Sequence, residues 1–309
     1  MAILCIEDDE IADRWRDALR RENAELDVRS WPEIGRAEDI DMVLLWDEFG
    51  HLGDLPNLKA AVILGAGVDH LFAPTVAIPE HLKIIRLIDP SITGQMIEYV
   101  TLCVVTWTRD WDDYRQFQRE RRYEELPARV PADVTIGVLG LGRLGGAVAQ
   151  TLAGIGYRVG GWSSSPRDLE GIECFSGEDG LTRLFQQSDI IVCLLPLTAE
   201  TEGILNADLF NSAKEGAYLI NAARGGHLVE EDLIIAVDSG RLSGATLDVQ
   251  REEPMAPEHP FWDHPKIKIT PHIATITSPE YAAPDVAENY RRLKVGEPLL
   301  NVIDVERQY

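Results

Sequence analysis

Apolar runs of strand length alternate along most of the chain with segments whose apolar residues keep a helical spacing. In the first part of the chain the predicted strands are residues 2–6, 42–46, 60–64 and 83–87. Between the first two of them, one face of a helix is marked by Ile11, Trp15, Ala18 and Leu19. The alternation predicts parallel strands joined by helices, with ligand loops at the carboxyl ends of the strands.

A second series of strands begins near the middle of the chain, where Val134, Ile136 and Val138 alternate as in a buried strand. The later predicted strands are residues 157–162, 190–195, 218–222, 245–249 and 267–270. Each of the later strands ends in polar or conformationally special residues, which is where an open α/β sheet binds its ligands. The chain is therefore predicted to be an α/β protein with parallel sheets.

A long helix is predicted from Met96 to about Tyr114, because apolar and aromatic residues keep the helical period over several turns. So much aromatic surface favours a core helix, with an inter-domain or dimer helix as the alternative. The polar stretch up to Arg129 predicts a linker into the central strand. Residues 281–309 predict a short helix followed by the apolar segment 298–305, which returns to the first domain.

The sequence G-L-G-R-L-G at residues 140–145 lies between a predicted strand and a predicted helix. Gly140 allows the tight bend, Gly142 lets a pyrophosphate approach the backbone, and Gly145 lets the helix pack on the strand. The phosphates would meet the N–H groups of the helix N-terminus. Glycine-rich turns are common, but this position favours a dinucleotide site over a merely structural turn.

The length and the net charge of the chain limit the number of domains and the classes of protein and partner that are possible. With 309 residues the chain suits two domains. No apolar run approaches the length of a membrane span, and the N-terminus lacks the basic flank of a signal peptide. A formal net charge of −23 argues against nucleic acid and anionic membranes as partners. A lysine-poor acidic surface suits a salty cytoplasm, and an ordinary acidic protein is an equally good interpretation.

The cysteines and histidines show no metal-ligand spacing, so no metal is expected. The cysteines are Cys5, Cys103, Cys174 and Cys193. They are scattered, three of them in apolar runs, as is typical of reduced thiols in a cytosolic protein. His259 and His264 lie in a proline-broken loop, and we expect them at the rim of a site rather than on a metal.

Arg224, Glu253 and His272 follow predicted strands beyond the glycine turn. Reduction of a 2-keto acid needs a cation for the carboxylate, a proton donor for the carbonyl oxygen, and a group that keeps that donor protonated. An arginine fork, a histidine and a carboxylate have these properties. Taken singly, each has another interpretation: a surface ion pair, a solvated acid, and a capping histidine. Their joint position after successive strands favours catalysis.

Two strand ends in the first part of the chain also carry candidate ligand residues. Trp46 follows one predicted strand, and G-A-G-V-D at residues 65–69 follows the next. The backbone amides around Ala66 and Gly67 could point outward as an anion-binding nest. A turn that starts a helix is the alternative.

The strand that ends at Trp162 is followed by Ser163, Ser164, Ser165 and Arg167, and no acidic residue lies at its tip. An acid at that position normally accepts hydrogen bonds from the ribose hydroxyls and selects NAD. Hydroxyls and Arg167 instead suit the 2′-phosphate of NADPH, and Arg143 can add a second charge. We therefore predict NADPH as the preferred cofactor, with NAD as the alternative, against an interpretation of these residues as an ordinary turn.

Four motifs occur in order along the chain: G-L-G-R-L-G, N-A-A-R-G-G, L-D-V-Q-R-E-E-P and P-H-I-A. Together they resemble the signatures of the D-2-hydroxyacid dehydrogenase superfamily over nearly the whole chain. G-A-G-V-D, Q-M-I-E-Y, the Trp46 loop and W-S-S-S-P-R resemble more narrowly its glyoxylate/hydroxypyruvate reductase branch of bacterial type A. Gln250 departs from the usual aromatic residue in the third motif. Glu253 disfavours formate dehydrogenase chemistry, since those relatives have glutamine there.

The resemblance implies Arg224 as substrate anchor, His272 as acid/base and Glu253 as its partner. It also implies that Asp248 meets the nicotinamide amide and that the Ala66 and Gly67 amides hold the substrate carboxylate. The other expected cofactor contacts lie in the glycine turn and at strand ends, and they are Leu144, Leu195, Pro196 and Ala222.

The implied fold is two Rossmann-like, doubly wound parallel-sheet domains, with the nucleotide-binding domain inserted into the substrate domain. The expected boundaries are residues 1–94 and 281–309 for the substrate domain and 95–280 for the NAD(P)-binding domain. We expect a cytoplasmic homodimer.

The predicted function is NADPH-dependent reduction of glyoxylate or hydroxypyruvate, with His272 as proton donor. One alternative is a related dehydrogenase with a bulkier keto acid, such as a phenyl or branched-chain one. Another is a dinucleotide-sensing regulator resembling the corepressors of this fold, which the acidity of the chain and the lack of a disordered tail disfavour.

Overall fold

The computed structural model describes residues 2–46, 49–65, 67–68, 71, 78–79, 81–87 and 89–303. The chain divides into two compact units. Unit 1 comprises Met1–Ile92 and Ile276–Tyr309, and unit 2 is the intervening Thr93–Thr275. Each sheet is buried on both faces by its own apolar clusters, as expected for parallel sheets.

Unit 1 contains a five-stranded parallel sheet in the order β2-β1-β3-β4-β5. Its elements are β1 (Ala2–Ile6), α1 (Asp9–Glu22), β2 (Val28–Ser30), β3 (Ile40–Leu45), β4 (Ala60–Ile63), β5 (Lys83–Arg86) and α8 (Pro279–Val295). Asp8 caps the N-terminus of α1, since its carboxylate accepts the Ile11 amide at 3.0 Å. Three of the four predicted face residues of α1 are buried, whereas Ile11 is 36% exposed.

Unit 2 contains a seven-stranded parallel sheet in the order β12-β11-β10-β9-β6-β7-β8. Its strands are β6 (Thr135–Leu139), β7 (Arg158–Ser163), β8 (Glu173–Ser176), β9 (Ile190–Cys193), β10 (Ala217–Asn221), β11 (Leu242–Leu247) and β12 (Ile267–Ile269). Its later helices are α3 (Trp111–Glu120), α4 (Arg143–Ile155), α5 (Gly177–Gln187), α6 (Ala207–Ser212) and α7 (Glu230–Asp238). The strand order reverses between β6 and β9, the switch point where such sheets bind ligands. The predicted α/β class with two Rossmann-like parallel sheets is confirmed.

The prediction of a single long helix that begins at Met96 is wrong in two respects. Helix α2 (Pro90–Thr108) begins earlier, where a proline suits the first helical turn and the Asp89 carboxylate accepts the Ser91 amide at 2.7 Å. It ends before Asp110, which has a left-handed φ of 48° and separates α2 from α3. The apolar period continues across this break, so the sequence pattern did not reveal it.

The prediction that the C-terminal helix is short is also wrong, because α8 has 17 residues despite Pro284 in its interior. Apolar residues of α8 share a buried cluster with α1 and β1, and the Arg14–Glu280 ion pair joins the two helices at 2.9 Å. Val302 then forms an antiparallel bridge to Ile85 of β5. The predicted apolar segment 298–305 extends beyond the described residues.

In the part of the chain that the structure describes, none of the helices has both the length and the apolar character that crossing a membrane requires.

Candidate active site

The glycine turn joins β6 to α4 beside the end of β9. Gly140 has φ of +96° and donates its amide to the Trp162 carbonyl at 2.8 Å. A Cβ at Gly145 would overlap the carbonyl oxygen of Gly140, so the helix packs on the strand as closely as glycine permits. A Cβ at Gly142 would meet nothing within 4 Å, and no side chain caps α4 there. The N-terminus of α4 is therefore open to an anion of the size of a pyrophosphate.

The tip of β7 lies next to the glycine turn, since β6 and β7 are paired up to Trp162. Ser163 donates its hydroxyl to the Ser165 carbonyl at 2.7 Å, so this hydroxyl is engaged within the turn. Ser164 and Arg167 are exposed, as is Arg143 at the start of α4. Neither guanidinium has an ion-pair or hydrogen-bond partner among the described residues. Leu144, the next residue of α4, is half-buried.

The ends of β9 and β10 are tied together by a buried histidine. Leu195 and Pro196 follow β9, and Ala222 follows β10. His227 is fully buried, with Nδ1 3.1 Å from the Arg224 carbonyl oxygen and Nε2 3.2 Å from the Pro196 carbonyl oxygen. His227 was not predicted from the sequence, where the available signal was a histidine three residues after Arg224.

Arg224 lies in the loop after β10, and hydrogen bonds hold both its backbone and its side chain. Asn221 donates its side-chain amide to the Arg224 carbonyl at 3.0 Å, and Arg224 Nη1 donates to the Ala223 carbonyl at 2.8 Å. A Cβ at Gly225 would overlap the backbone of Gln250, so only glycine allows the two loops to approach this closely. The loop that bears Arg224 thus lies against the loop that leads to Glu253.

His272 and Glu253 form a hydrogen-bonded pair after β12 and β11. His272 Nδ1 lies 2.8 Å from Glu253 Oε2, and the Gln250 amide donates to Glu253 Oε1 at 2.9 Å. Since Nδ1–H donates to the carboxylate, Nε2 is the ring nitrogen that can transfer a proton. Both side chains are 34% exposed, so solvent and a small molecule can reach them.

The pKa of Glu253 lies below its ordinary value. Burial raises this pKa, but the hydrogen bonds from His272 and from the Gln250 amide outweigh burial, and the charges of His272 and Arg224 act in the same direction. Glu253 is therefore a carboxylate at neutral pH. The three predicted catalytic residues follow the adjacent strands β10, β11 and β12: His272 and Glu253 are hydrogen-bonded, and the charge of Arg224 lowers the pKa of Glu253.

Asp248 is fully buried at the end of β11. Its carboxylate accepts hydrogen bonds from the Thr270 hydroxyl and from the backbone amides of Ile273 and Ala274. The contact to a nicotinamide amide that the family resemblance implies stays a prediction. What the structure shows is a carboxylate engaged with the loop that carries His272.

The candidate substrate residues of the first strands belong to unit 1. Trp46 follows β3 and packs on Gly65, which follows the paired strand β4; a Cβ at Gly65 would overlap the six-membered ring of Trp46. Gly67 is half-buried. Ala66 lies outside the described residues, so the predicted nest stays a prediction.

Among the described residues, no group of three or more His, Cys, Asp or Glu side chains could hold a metal ion. His259 and His264 instead pair with Glu230 and Asp238, at 3.2 and 3.3 Å. The four cysteines are free thiols; Cys5, Cys103 and Cys193 are buried, and Cys174 is half-buried.

Known proteins resemble this chain over its whole length. Residues 101–274 match the sequence profile of the D-isomer specific 2-hydroxyacid dehydrogenase, NAD binding domain. Glyoxylate/hydroxypyruvate reductase A of Escherichia fergusonii is 39% identical over 299 residues, which is 96% of each chain.

Two crystal structures show the same architecture. The D-isomer specific 2-hydroxyacid dehydrogenase of Xanthobacter autotrophicus Py2, in complex with NADPH and MES, superposes with a TM-score of 0.93 at 39% identity and covers 100% of this chain and 99% of its own. The NADPH-dependent glyoxylate/hydroxypyruvate reductase of Sinorhizobium meliloti, in complex with NADP and sulfate, has a TM-score of 0.91 at 33% identity and covers 100% of both chains. The profile match and the relatives together place this chain in the D-isomer-specific 2-hydroxyacid dehydrogenase family.

Proposed function

We propose that this protein is an NADPH-preferring reductase that converts glyoxylate and hydroxypyruvate to the corresponding 2-hydroxy acids. The observation that carries the proposal is the His272–Glu253 pair, placed with Arg224 at the ends of three adjacent strands of a sheet that also bears the glycine turn. The 39% identity to a glyoxylate/hydroxypyruvate reductase over nearly the full length supports the choice of substrate.

Each residue of the site has a distinct task in this reaction. NADPH, when bound, supplies the hydride for the keto carbon. Arg224 binds the carboxylate and carbonyl oxygens through its planar guanidinium. His272 donates the proton from Nε2 to the carbonyl oxygen, and Glu253 holds Nδ1–H and stabilises the imidazolium. Trp46 and the amides of Ala66 and Gly67 are proposed to bind the rest of the substrate.

The open N-terminus of α4 fits the cofactor's pyrophosphate, and the two unpaired guanidinium groups fit its 2′-phosphate. Arg167 follows the tip of β7, and Arg143 begins α4 after the neighbouring strand β6; an acid at the tip of β7 would select NADH. Ser164 can donate to the phosphate without losing a described hydrogen bond. Leu195, Pro196, Ala222 and Asp248 are proposed as further cofactor contacts.

The assembly and the roles of the domains complete the proposal. Residues 1–94 and 281–309 would form the substrate domain, and residues 95–280 the cofactor domain. We further propose that the protein acts in the cytoplasm as a homodimer and binds neither nucleic acid nor membranes, in accord with its net charge of −23.

The test is a steady-state assay of the purified protein with glyoxylate, hydroxypyruvate and phenylpyruvate, each with NADPH and with NADH. We expect the highest kcat/KM for a small keto acid with NADPH. His272→Ala should lower kcat about 10²- to 10⁴-fold, as for loss of a general acid, while NADPH still binds in calorimetry. Absence of turnover with every keto acid and both cofactors would contradict the proposal.

A further inference from the structure

The loop that carries His272 is attached to Asp248 by four hydrogen bonds. The Asp248 carbonyl accepts the His272 amide at 2.8 Å. Asp248 Oδ1 accepts the Thr270 hydroxyl at 2.6 Å and the Ile273 amide at 2.9 Å, and Oδ2 accepts the Ala274 amide at 2.7 Å. Residues on both sides of His272 are therefore tied to the buried Asp248 carboxylate: Thr270 through its hydroxyl, and Ile273 and Ala274 through their backbone amides.

These hydrogen bonds hold His272 in an uncommon backbone conformation. Its φ of 53° lies in the left-handed region, which residues with a side chain rarely adopt. In the extended conformation that is usual after a strand, the imidazole would leave the backbone in another direction. The direction of the ring, and hence of Nε2, depends on the contacts that maintain this conformation.

The network extends to helix α2 through Tyr99. The Tyr99 hydroxyl lies 2.6 Å from Thr270 Oγ1. Thr270 has one hydroxyl hydrogen, which it donates to Asp248, so Tyr99 must donate to Thr270. Burial raises the pKa of Tyr99, which keeps the phenol protonated and able to donate. Tyr99 thus donates to Thr270, and Thr270 donates to Asp248.

We propose that Tyr99 and Thr270 are positioning residues for the proton transfer. Through Asp248 they fix the backbone of residues 272–274 and thereby the direction in which His272 presents Nε2. This inference rests on the proposed function for its catalytic consequence, but its structural part can be measured on the protein without substrate or cofactor.

A second tyrosine–threonine pair in the same unit provides a matched control. The Tyr218 hydroxyl lies 2.8 Å from Thr246 Oγ1, and both residues are buried. Thr246 lies on β11, two residues before Asp248, yet no described hydrogen bond joins this pair to the Asp248 carboxylate. Loss of a buried hydroxyl pair can therefore be separated from loss of the contact to Asp248.

The experiment compares Thr270→Val, Thr270→Ser and Tyr99→Phe with the controls Thr246→Val and Tyr218→Phe. Thr270→Val should lower kcat about tenfold to a hundredfold, as misplacement of a catalytic group does, and should change the KM for NADPH by a smaller factor. Thr270→Ser should have a kcat close to that of the wild type, because serine keeps the hydroxyl that valine lacks. Tyr99→Phe should have the same effect on a smaller scale, and the controls should leave kcat unchanged.

Amide hydrogen exchange of the free protein measures the positioning itself. Thr270→Val should speed exchange at residues 272–274 at least tenfold, while Thr246→Val should not. Equal effects of Thr270→Val and Thr246→Val on kcat and exchange would overturn the inference, as would faster exchange without a fall in kcat. If no keto acid is reduced even by the wild type, the proposed function fails, whereas the exchange result still decides whether Thr270 orders the loop.

Discussion

Replacing Glu253 by glutamine removes the negative charge beside His272 and changes little else in size. In the proposed mechanism the carboxylate stabilises the positive charge that His272 carries as proton donor, and the variant loses that attraction. Reduction needs that proton. We therefore expect the reduction activity of Glu253→Gln to decline at a lower pH than that of the wild type.

The size of the lost attraction follows from the geometry of the pair. The Nδ1–Oε2 distance is 2.8 Å, and the two charges are spread over their groups, which places the charge centres about 4 Å apart. At that separation the attraction is ~1 kcal/mol in water and ~4 kcal/mol at a dielectric constant of 20. Because both side chains are 34% exposed, we take about 1–2 kcal/mol for the attraction that the variant loses.

Glutamine also removes one hydrogen bond. Both oxygens of Glu253 accept, one from His272 and one from the Gln250 amide, whereas an amide side chain has a single oxygen. If that oxygen faces the backbone amide, the side-chain amide group faces Nδ1 and favours the wrong tautomer of the ring. We therefore expect kcat to fall at least tenfold below the wild-type value even at the new optimum pH.

The assay is the pH profile of kcat and kcat/KM for glyoxylate reduction with saturating NADPH. Glu252→Gln is the matched control, since it makes the same change at the adjacent exposed residue. Its profile should match that of the wild type. A Glu253→Gln profile that superimposes on the wild-type profile would remove Glu253 from the mechanism.

Three further predictions concern substrate and cofactor binding. Arg224→Lys should lower kcat/KM for glyoxylate at least tenfold, because an ammonium cannot reproduce the planar fork; full activity would refute this role. Ser163→Asp with Arg167→Ala should invert the ratio of the KM values for NADPH and NADH, and an unchanged ratio would count against the β7 tip as the selector. Gly65→Ala should displace Trp46 and change the ratio of kcat/KM for phenylpyruvate and glyoxylate, while Gly53→Ala, where a Cβ would meet nothing, should not.

The sequence predicted those parts of the fold that local patterns determine. The glycine turn is recognisable because strand, turn and helix are contiguous, and the central strands are recognisable as unbroken apolar runs. Strands β2 and β8 were missed: they lie at the edges of their sheets, they are short, and only one residue of each is buried. The break at Asp110 was missed because the apolar spacing continues on both sides of it.

In the candidate site, too, some residues can be identified from local sequence patterns and others only from the folded structure. Arg224, Glu253 and His272 could be selected because each follows a strand and has a side chain suited to the chemistry. The Tyr99–Thr270 contact joins positions 171 residues apart, and no spacing rule connects them. His227 was missed for a related reason, since its role depends on two backbone carbonyls that become its neighbours only after folding.

The insertion of unit 2 into unit 1 has a consequence for the order of folding. The four buried apolar clusters of the described residues each lie within a single unit, so each unit has a core of its own. Unit 1 is discontinuous, and packing α8 on α1 requires closure of a loop that contains all of unit 2. For a flexible chain of that length closure costs on the order of 5 kcal/mol of entropy. Once unit 2 has folded, its two ends are held at a fixed separation and most of this cost disappears. We therefore expect unit 2 to fold first and to act as the template on which the two pieces of unit 1 meet. In pulsed hydrogen exchange, the amides of β6–β12 should then be protected before those of β1–β5.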